Sequence, residues 1–176
     1  MSVDFRELEE FRDKLQKLAD KDTSKLCDDC AKELAGRLLA KVVKRTPVGV
    51  VPEGIDKKSD TYKDYWSGYT GGTLRRGWTS GKNVNATQYA KTMPVNHIGQ
   101  NHKIEIINQV EYAQYVEYGH RQTPGRFVPA LGKRLTTSWV NGKFMMTKSE
   151  SEVDAIAQRV VDKKVNDYLE RYLGGK

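Results

Sequence analysis

The stretch EYAQYVEYGHR at residues 111–121 sets Glu117 and His120 three positions apart, one turn if the segment is helical. A carboxylate and an imidazole so spaced can share a site for general acid–base work or for a metal ion. Acid–base catalysis also wants a nucleophile or a group that orients the base. The sequence offers none: there is no GxSxG, no HExxH, no paired-carboxylate motif and no phosphate-cradling glycine loop. The second candidate is Cys27-Asp28-Asp29-Cys30, the only two cysteines. A zinc centre needs two further ligands at comparable spacing, and His97, His102 and His120 form no partner motif. A dithiol redox site needs a strand-to-helix junction, whereas this CxxC falls inside an amphipathic helical pattern beside two aspartates, which disfavour a thiolate. The expectation is a non-enzyme with no catalytic residue, no metal and no cofactor. The cysteines are expected to be structural and reduced, as suits the cytosol.

Composition narrows the partners. The chain has 176 residues, 38% hydrophobic and 30% charged, with a mean hydropathy of −0.71. That length buries a core as one domain, 1–176, without disulfides. So polar a chain either exposes much surface or gains part of its buried area from partners. No apolar run is long enough to cross a bilayer, and MSVDFRELEEF lacks the apolar stretch of a signal peptide. Synthesis in the cytosol, away from membranes, is expected. The net charge of +7 is unevenly placed: residues 1–30 carry −3, residues 31–147 carry +10, and residues 148–176 balance. The middle is therefore the candidate for contact with phosphates or an acidic protein surface, or else a solvated basic face. There Tyr62, Tyr65, Trp66, Tyr69 and Trp78 interleave with Arg75 and Arg76. Such a mixture suits nucleic-acid stacking and protein–protein hot spots equally. No RRM, KH, helix-turn-helix or zinc-finger signature separates the two.

The elements that would position these residues follow from periodicity. Leu8, Phe11, Leu15 and Leu18 mark one amphipathic helix over roughly 3–20. Cys27, Ala31, Leu34, Leu38 and Val42 mark a second over 24–45, stopped before Pro47. Residues 46–72 read as a long loop, LRRGWT (74–79) as a strand, VNATQYA as a second strand pairing back, and 91–101 as a loop. Lys103 to Gln109 alternates, with Ile104 and Ile106 on one face of a strand. Asn108 and Glu111 have the spacing of a capping box for a short helix that buries Tyr112, Tyr115 and Val116 and ends at Gly119. Residues 120–141 read as a long basic loop or projecting arm. Residues 142–173 form the C-terminal part, its helix starting near Phe144 with Ser149-x-x-Glu152 as capping box and Val153, Ile156, Val160, Val165 and Leu169 buried. The fold class is α+β: two N-terminal helices (1–45) and a long C-terminal helix on a small, mainly antiparallel sheet (46–119), with the arm at 120–141.

The order of these pieces resembles a known family. KxTPV closing the N-terminal helices, LRRGW at 74–78, EYAQYVEYGHR at 111–121 and WVNGKFMM at 139–146 are similar to the neck or tail-completion proteins of long-tailed bacteriophages and PBSX-like prophages. These are minor tail or head–tail joining components, and the likeness covers roughly residues 30–170. It implies a structural virion protein forming a ring, six-fold like the tail, between head-closure (connector) and tail-terminator or tail-tube proteins. DNA would touch it only non-specifically, as the passing genome. It further implies subunit or partner contacts at Arg75, Arg76, Trp78, Tyr115, Glu117, His120, Arg121, Arg126, Phe127, Lys133, Arg134 and Trp139. Arg126, Lys133 and Arg134 are the candidates to face the DNA lumen. The rival reading is a cytosolic nucleic-acid-binding protein using the same basic centre; a hydrolase built on Glu117 and His120 is the weaker third.

Overall fold

The computed structural model describes residues 13, 23–82 and 84–173. The helix expected over 3–20 lies outside the described residues, apart from Asp13, which is helical and exposed. The fold is α+β. Helix α1 (Thr23–Arg45) is followed by three short helices, α2 (Asp60–Tyr65), α3 (Thr73–Gly77) and α4 (Ala86–Thr92). Strands β1 (Asn96–Ile98) and β2 (Asn101–Lys103) precede α5 (Ala113–Tyr118). Then come β3 (Gly119–Arg121), β4 (Phe127–Val128), a 3-10 turn (Pro129–Leu131), β5 (Lys133–Arg134), β6 (Trp139–Asn141) and the long α6 (Met145–Leu173). The strands are two or three residues long. Instead of the one small sheet expected, they form three separate antiparallel ribbons, β1–β2, β3–β6 and β4–β5.

Two strand assignments are corrected to helix. In LRRGW the buried residues are Leu74, Gly77 and Trp78, a spacing of three and four that belongs to a helix face and not to alternation. Over 84–90, the Asn85 side chain accepts the Thr87 amide at 2.9 Å, so α4 starts at an N-cap. The loop expected over 46–72 contains α2, capped by Ser59, and the loop over 91–101 contains β1 and the start of β2. Over 103–109 the alternation is real: burial alternates residue by residue from His102 to Val110, with Ile104 and Ile106 on the inner side. Only Lys103 belongs to a ladder, however, so most of this stretch is extended without being a strand.

The chain forms two compact units interleaved in sequence. The first takes in residues up to Leu39, Asn85–Glu105 and Ser151 onward; the second is Ala40–Val84 and Ile106–Glu150. In the first unit the core is Cys30, Ala35, Leu39, Ala90, Val153 and Val160. The buried stripe of α1 is thus rotated from the one expected. Cys27 is exposed and Ala31, Leu34 and Leu38 are only partly covered, while Gly36 is buried and faces Thr87 and Ala90 of α4. On α6, Val153 and Val160 are buried as expected, while Leu169 is exposed.

The second unit is built round Thr46, which has no exposed surface. Its hydroxyl donates to the Val42 carbonyl at 2.6 Å and accepts the Trp78 indole N–H at 2.8 Å. Its carbonyl, at the C-terminal end of α1, receives Nε and Nη2 of Arg75 at 3.1 and 2.6 Å. A guanidinium there also meets the negative end of the helix dipole. The threonine of KxTPV and the arginine and tryptophan of LRRGW are therefore one hydrogen-bonded assembly.

Candidate functional site

Glu117 was the first residue to suggest chemistry, and the structure gives it another task. Its side chain points inward and is 6% exposed. One carboxylate oxygen accepts the Met146 amide at 2.9 Å; the other accepts the Thr147 amide at 3.0 Å and the Thr147 hydroxyl at 2.8 Å. Those amides open α6, so Glu117 supplies from a distant part of the chain the N-terminal cap that Ser149 and Glu152 were expected to make. Ser149 instead lies inside the helix, its hydroxyl donating to the Met145 carbonyl at 2.6 Å and accepting from Arg45 at 2.8 Å. Burial pushes the Glu117 carboxyl up, but the amides of Thr147, Met146 and Met145 and the Thr147 hydroxyl outweigh it, and the group titrates below its usual range. A carboxylate held ionised on three donors is a poor general base. His120 is turned elsewhere, its ring meeting Tyr115 edge-on at 6.0 Å, so the two are not a catalytic pair.

Glu117 is the one buried residue of α5; Tyr112 and Tyr115, expected to anchor that helix, are exposed, and Val116 is half-buried. The expected cap at Asn108 is also displaced. Helix α5 begins only at Ala113, and Asn108 instead donates to the Leu74 carbonyl at 2.9 Å while accepting the Val110 amide at 3.1 Å. Gly77 of LRRGW lies directly beneath it: a Cβ there would collide with Asn108 Oδ1 and come within 2.8 Å of Val110.

At the end of α5, Gly119 closes the helix, but with φ +87 and ψ 174, outside the left-handed αL region expected of a glycine cap, and starts the ribbon to β6. A Cβ at Gly119 would strike the Val140 carbonyl, and one at Gly142 would strike the Glu117 carbonyl. The amides of Lys143 and Phe144 then donate to the carbonyls of Val116 and Glu117 at 2.8 and 3.0 Å. So the VEYGHR and WVNGKF motifs interlock through backbone, and the cost of a side chain at either glycine is steric.

Residues 119–141 form a hairpin. His120 pairs with Val140, Arg121 with Trp139 and Phe127 with Arg134, and the intervening residues are joined by bonds such as Gln122 amide to Ser138 carbonyl, 3.0 Å. Its tip is tied down, the Trp66 indole N–H donating to the Ala130 carbonyl at 2.6 Å. Arg121, Arg126, Lys133 and Arg134 all lie on the hairpin surface with no acidic residue between 119 and 141. Phe127 and Trp139 are about half exposed. Of the residues expected to contact partners, these six, with Tyr115 and Arg76, have surface to offer. Trp78 and Glu117 are spent inside the unit, Arg75 is half-buried on Thr46, and His120 is half-buried with its Nδ1 unpartnered among the described residues.

Sequence spacing missed one cluster in the first unit. Asp28 of α1, the second residue of the CxxC, accepts His97 Nε2 at 2.9 Å and His102 Nδ1 at 2.6 Å on the same oxygen. The imidazoles are an opposed pair across β1–β2, ring centroids 4.7 Å apart. His102 and then His97 hold the Asp28 carboxyl below the usual range. The signal was present in HIGQNH: two histidines flanking a two-residue Gly-Gln turn must face each other if the segment is a hairpin. Burial, with a contribution from Cys27, pushes the neighbouring Cys30 thiol up, which opposes a reactive dithiol.

A profile of the bacteriophage HK97-gp10-like family, described as a tail component, matches residues 9–119. The chain belongs to that family. No curated protein and no solved structure gives a significant match. The matched stretch takes in LRRGW and the EYAQYVEYG segment; the hairpin beyond Gly119 and α6 lie outside it. The protein is thus a phage tail component, and the virion is where such a component resides. No described helix is long and apolar enough to cross a membrane.

Proposed function

We propose that this tail component is a non-enzymatic completion or joining subunit. It is made in the host cytoplasm and assembles as a ring, six-fold like the tail, between head-closure and tail-terminator or tail-tube proteins. The observation that carries the reading is how the second unit divides its residues. Part of each motif is consumed internally, in the Thr46–Arg75–Trp78 network, the Gly77–Asn108 contact and the Glu117 cap. Tyr112, Tyr115, Tyr118, Phe127 and Trp139 stay exposed beside an all-basic hairpin. Exposed aromatics with arginine are the composition of protein interface hot spots. Head-to-tail packing of one such surface against a different one closes rings. Arg126, Lys133 and Arg134 then face either the passing DNA, without sequence preference, or an acidic neighbour.

Light scattering and negative-stain microscopy of the purified protein, alone and with tail-tube protein, test this. Rings or a defined complex that Tyr115→Ala/Trp139→Ala abolishes, with the fold retained by circular dichroism, support it. A wild-type protein that stays monomeric with every tail and connector protein, yet binds duplex DNA at physiological salt with a steep salt slope, would overturn it for the nucleic-acid reading.

A further inference from the structure

We propose that Asp28, His97 and His102 form a binding site for a divalent first-row transition-metal ion, zinc being the best-suited probe. The three side chains come from separate places: one from α1, two from opposite strands of β1–β2. Each offers one ligand atom, and all three atoms lie within 4.8 Å of one another. One carboxylate oxygen and two imidazole nitrogens form a donor set that zinc, nickel and cobalt accept, whereas calcium and magnesium prefer all-oxygen sites.

The geometry is close to what an ion requires. With ligand bonds of about 2.0–2.2 Å, a tetrahedral zinc holds its ligand atoms about 3.4 Å apart. The present separations from the Asp28 oxygen are 2.9 and 2.6 Å. Seating the ion needs the carboxylate to withdraw by less than about 1 Å and the two ring nitrogens, which lie within 4.8 Å of each other, to settle at that spacing, both by small side-chain rotations. The backbone already presents both rings together, since the pair His97↔His102 is fixed by the ladder and the turn at Gly99–Gln100. Little ordering therefore opposes binding. Each ring would present to the ion the nitrogen that now faces Asp28 and carry its proton on the other. His102 is mostly covered while His97 is 51% exposed, which leaves a path for entry and a coordination position for water. Such an ion would fasten the β1–β2 ribbon to α1 inside the first unit, joining residues 69 and 74 apart in sequence.

The test uses the full chain, stripped with a chelator and titrated calorimetrically with zinc and then nickel. A Cys27→Ser background removes the exposed thiol nearby. The expected result is one ion per chain, an affinity reduced at least tenfold by His97→Asn or His102→Asn, and a melting temperature that rises with zinc only when both histidines are present. Cobalt should give a spectrum without thiolate charge-transfer bands. His97 is half exposed, so His97→Asn should keep the fold, checked by an unchanged circular dichroism spectrum and a cooperative melt in chelator. Absence of saturable binding by the parent would overturn the site, as would binding that survives loss of both histidines or disappears with Cys27→Ser alone.

Discussion

Replacing Glu117 with glutamine separates a structural carboxylate from a catalytic one. Glutamine keeps the size but presents only one acceptor oxygen and turns an N–H2 toward amides that also donate. In the native chain that carboxylate takes two amides and a hydroxyl at 2.8–3.0 Å at the start of a 29-residue helix. A hydrogen bond to a charged group contributes about 1.5–3 kcal/mol, and a carboxylate at a helix N-terminus adds about 0.3–1 kcal/mol through the dipole. Thr147 is at the surface, so water replaces part of what is lost and the lower end applies. Glu117→Gln should cost about 2 kcal/mol, lowering the melting temperature by about 4–8 °C for a chain of this size. The pH dependence has a definite sign. The folded-state pKa is depressed below the ordinary 4.5, so the contribution is fully present above 4.5 and is lost as pH falls through the folded value. Urea denaturation of both proteins at intervals from pH 7 to pH 3 reads this directly. The two midpoints should converge on acidification. Equal midpoints at pH 7, or a gap that widens in acid, would refute the capping role.

Gly77→Ala drives a methyl into Asn108 and Val110 and should destabilise by about 2–4 kcal/mol, read in the same denaturation assay. Thr46→Val leaves the Trp78 indole N–H buried without an acceptor and should cost about 1–3 kcal/mol, with a change in tryptophan fluorescence; an unchanged spectrum and midpoint would contradict the network. Trp66→Phe removes the bond to the Ala130 carbonyl at the hairpin tip. It should speed hydrogen exchange across residues 122–137 several-fold while leaving α6 protection unchanged.

How much of this was legible in the sequence depended on where hydrogen bonds are made. The long helices 24–45 and 144–173 were visible because their apolar spacing is local, although the buried face of α1 is the one that meets α4, which no single-helix pattern reports. LRRGW is too short to separate the two periods: Leu74, Gly77 and Trp78 share a helical face, while the Gly-Gly pair before it suits the start of a strand as well as of a helix. Ile104 and Ile106 alternate as a strand does, but pairing depends on a neighbour that the sequence does not name. The role of Glu117 was hidden for the same reason: its partners lie about thirty residues further on. Asp28, His97 and His102 were inconspicuous because metal-ligand spacing rules describe short motifs, while this cluster is closed by tertiary packing. The resemblance placed the chain among tail proteins, and the family match agrees at that level.

A joining or completion role in the particle is open to electron microscopy of particles produced without this gene. Filled heads should accumulate beside separate tails, or tails should be of abnormal length, with normal particles restored by the wild-type chain and not by Tyr115→Ala/Trp139→Ala. Intact, joined particles of normal length would contradict it.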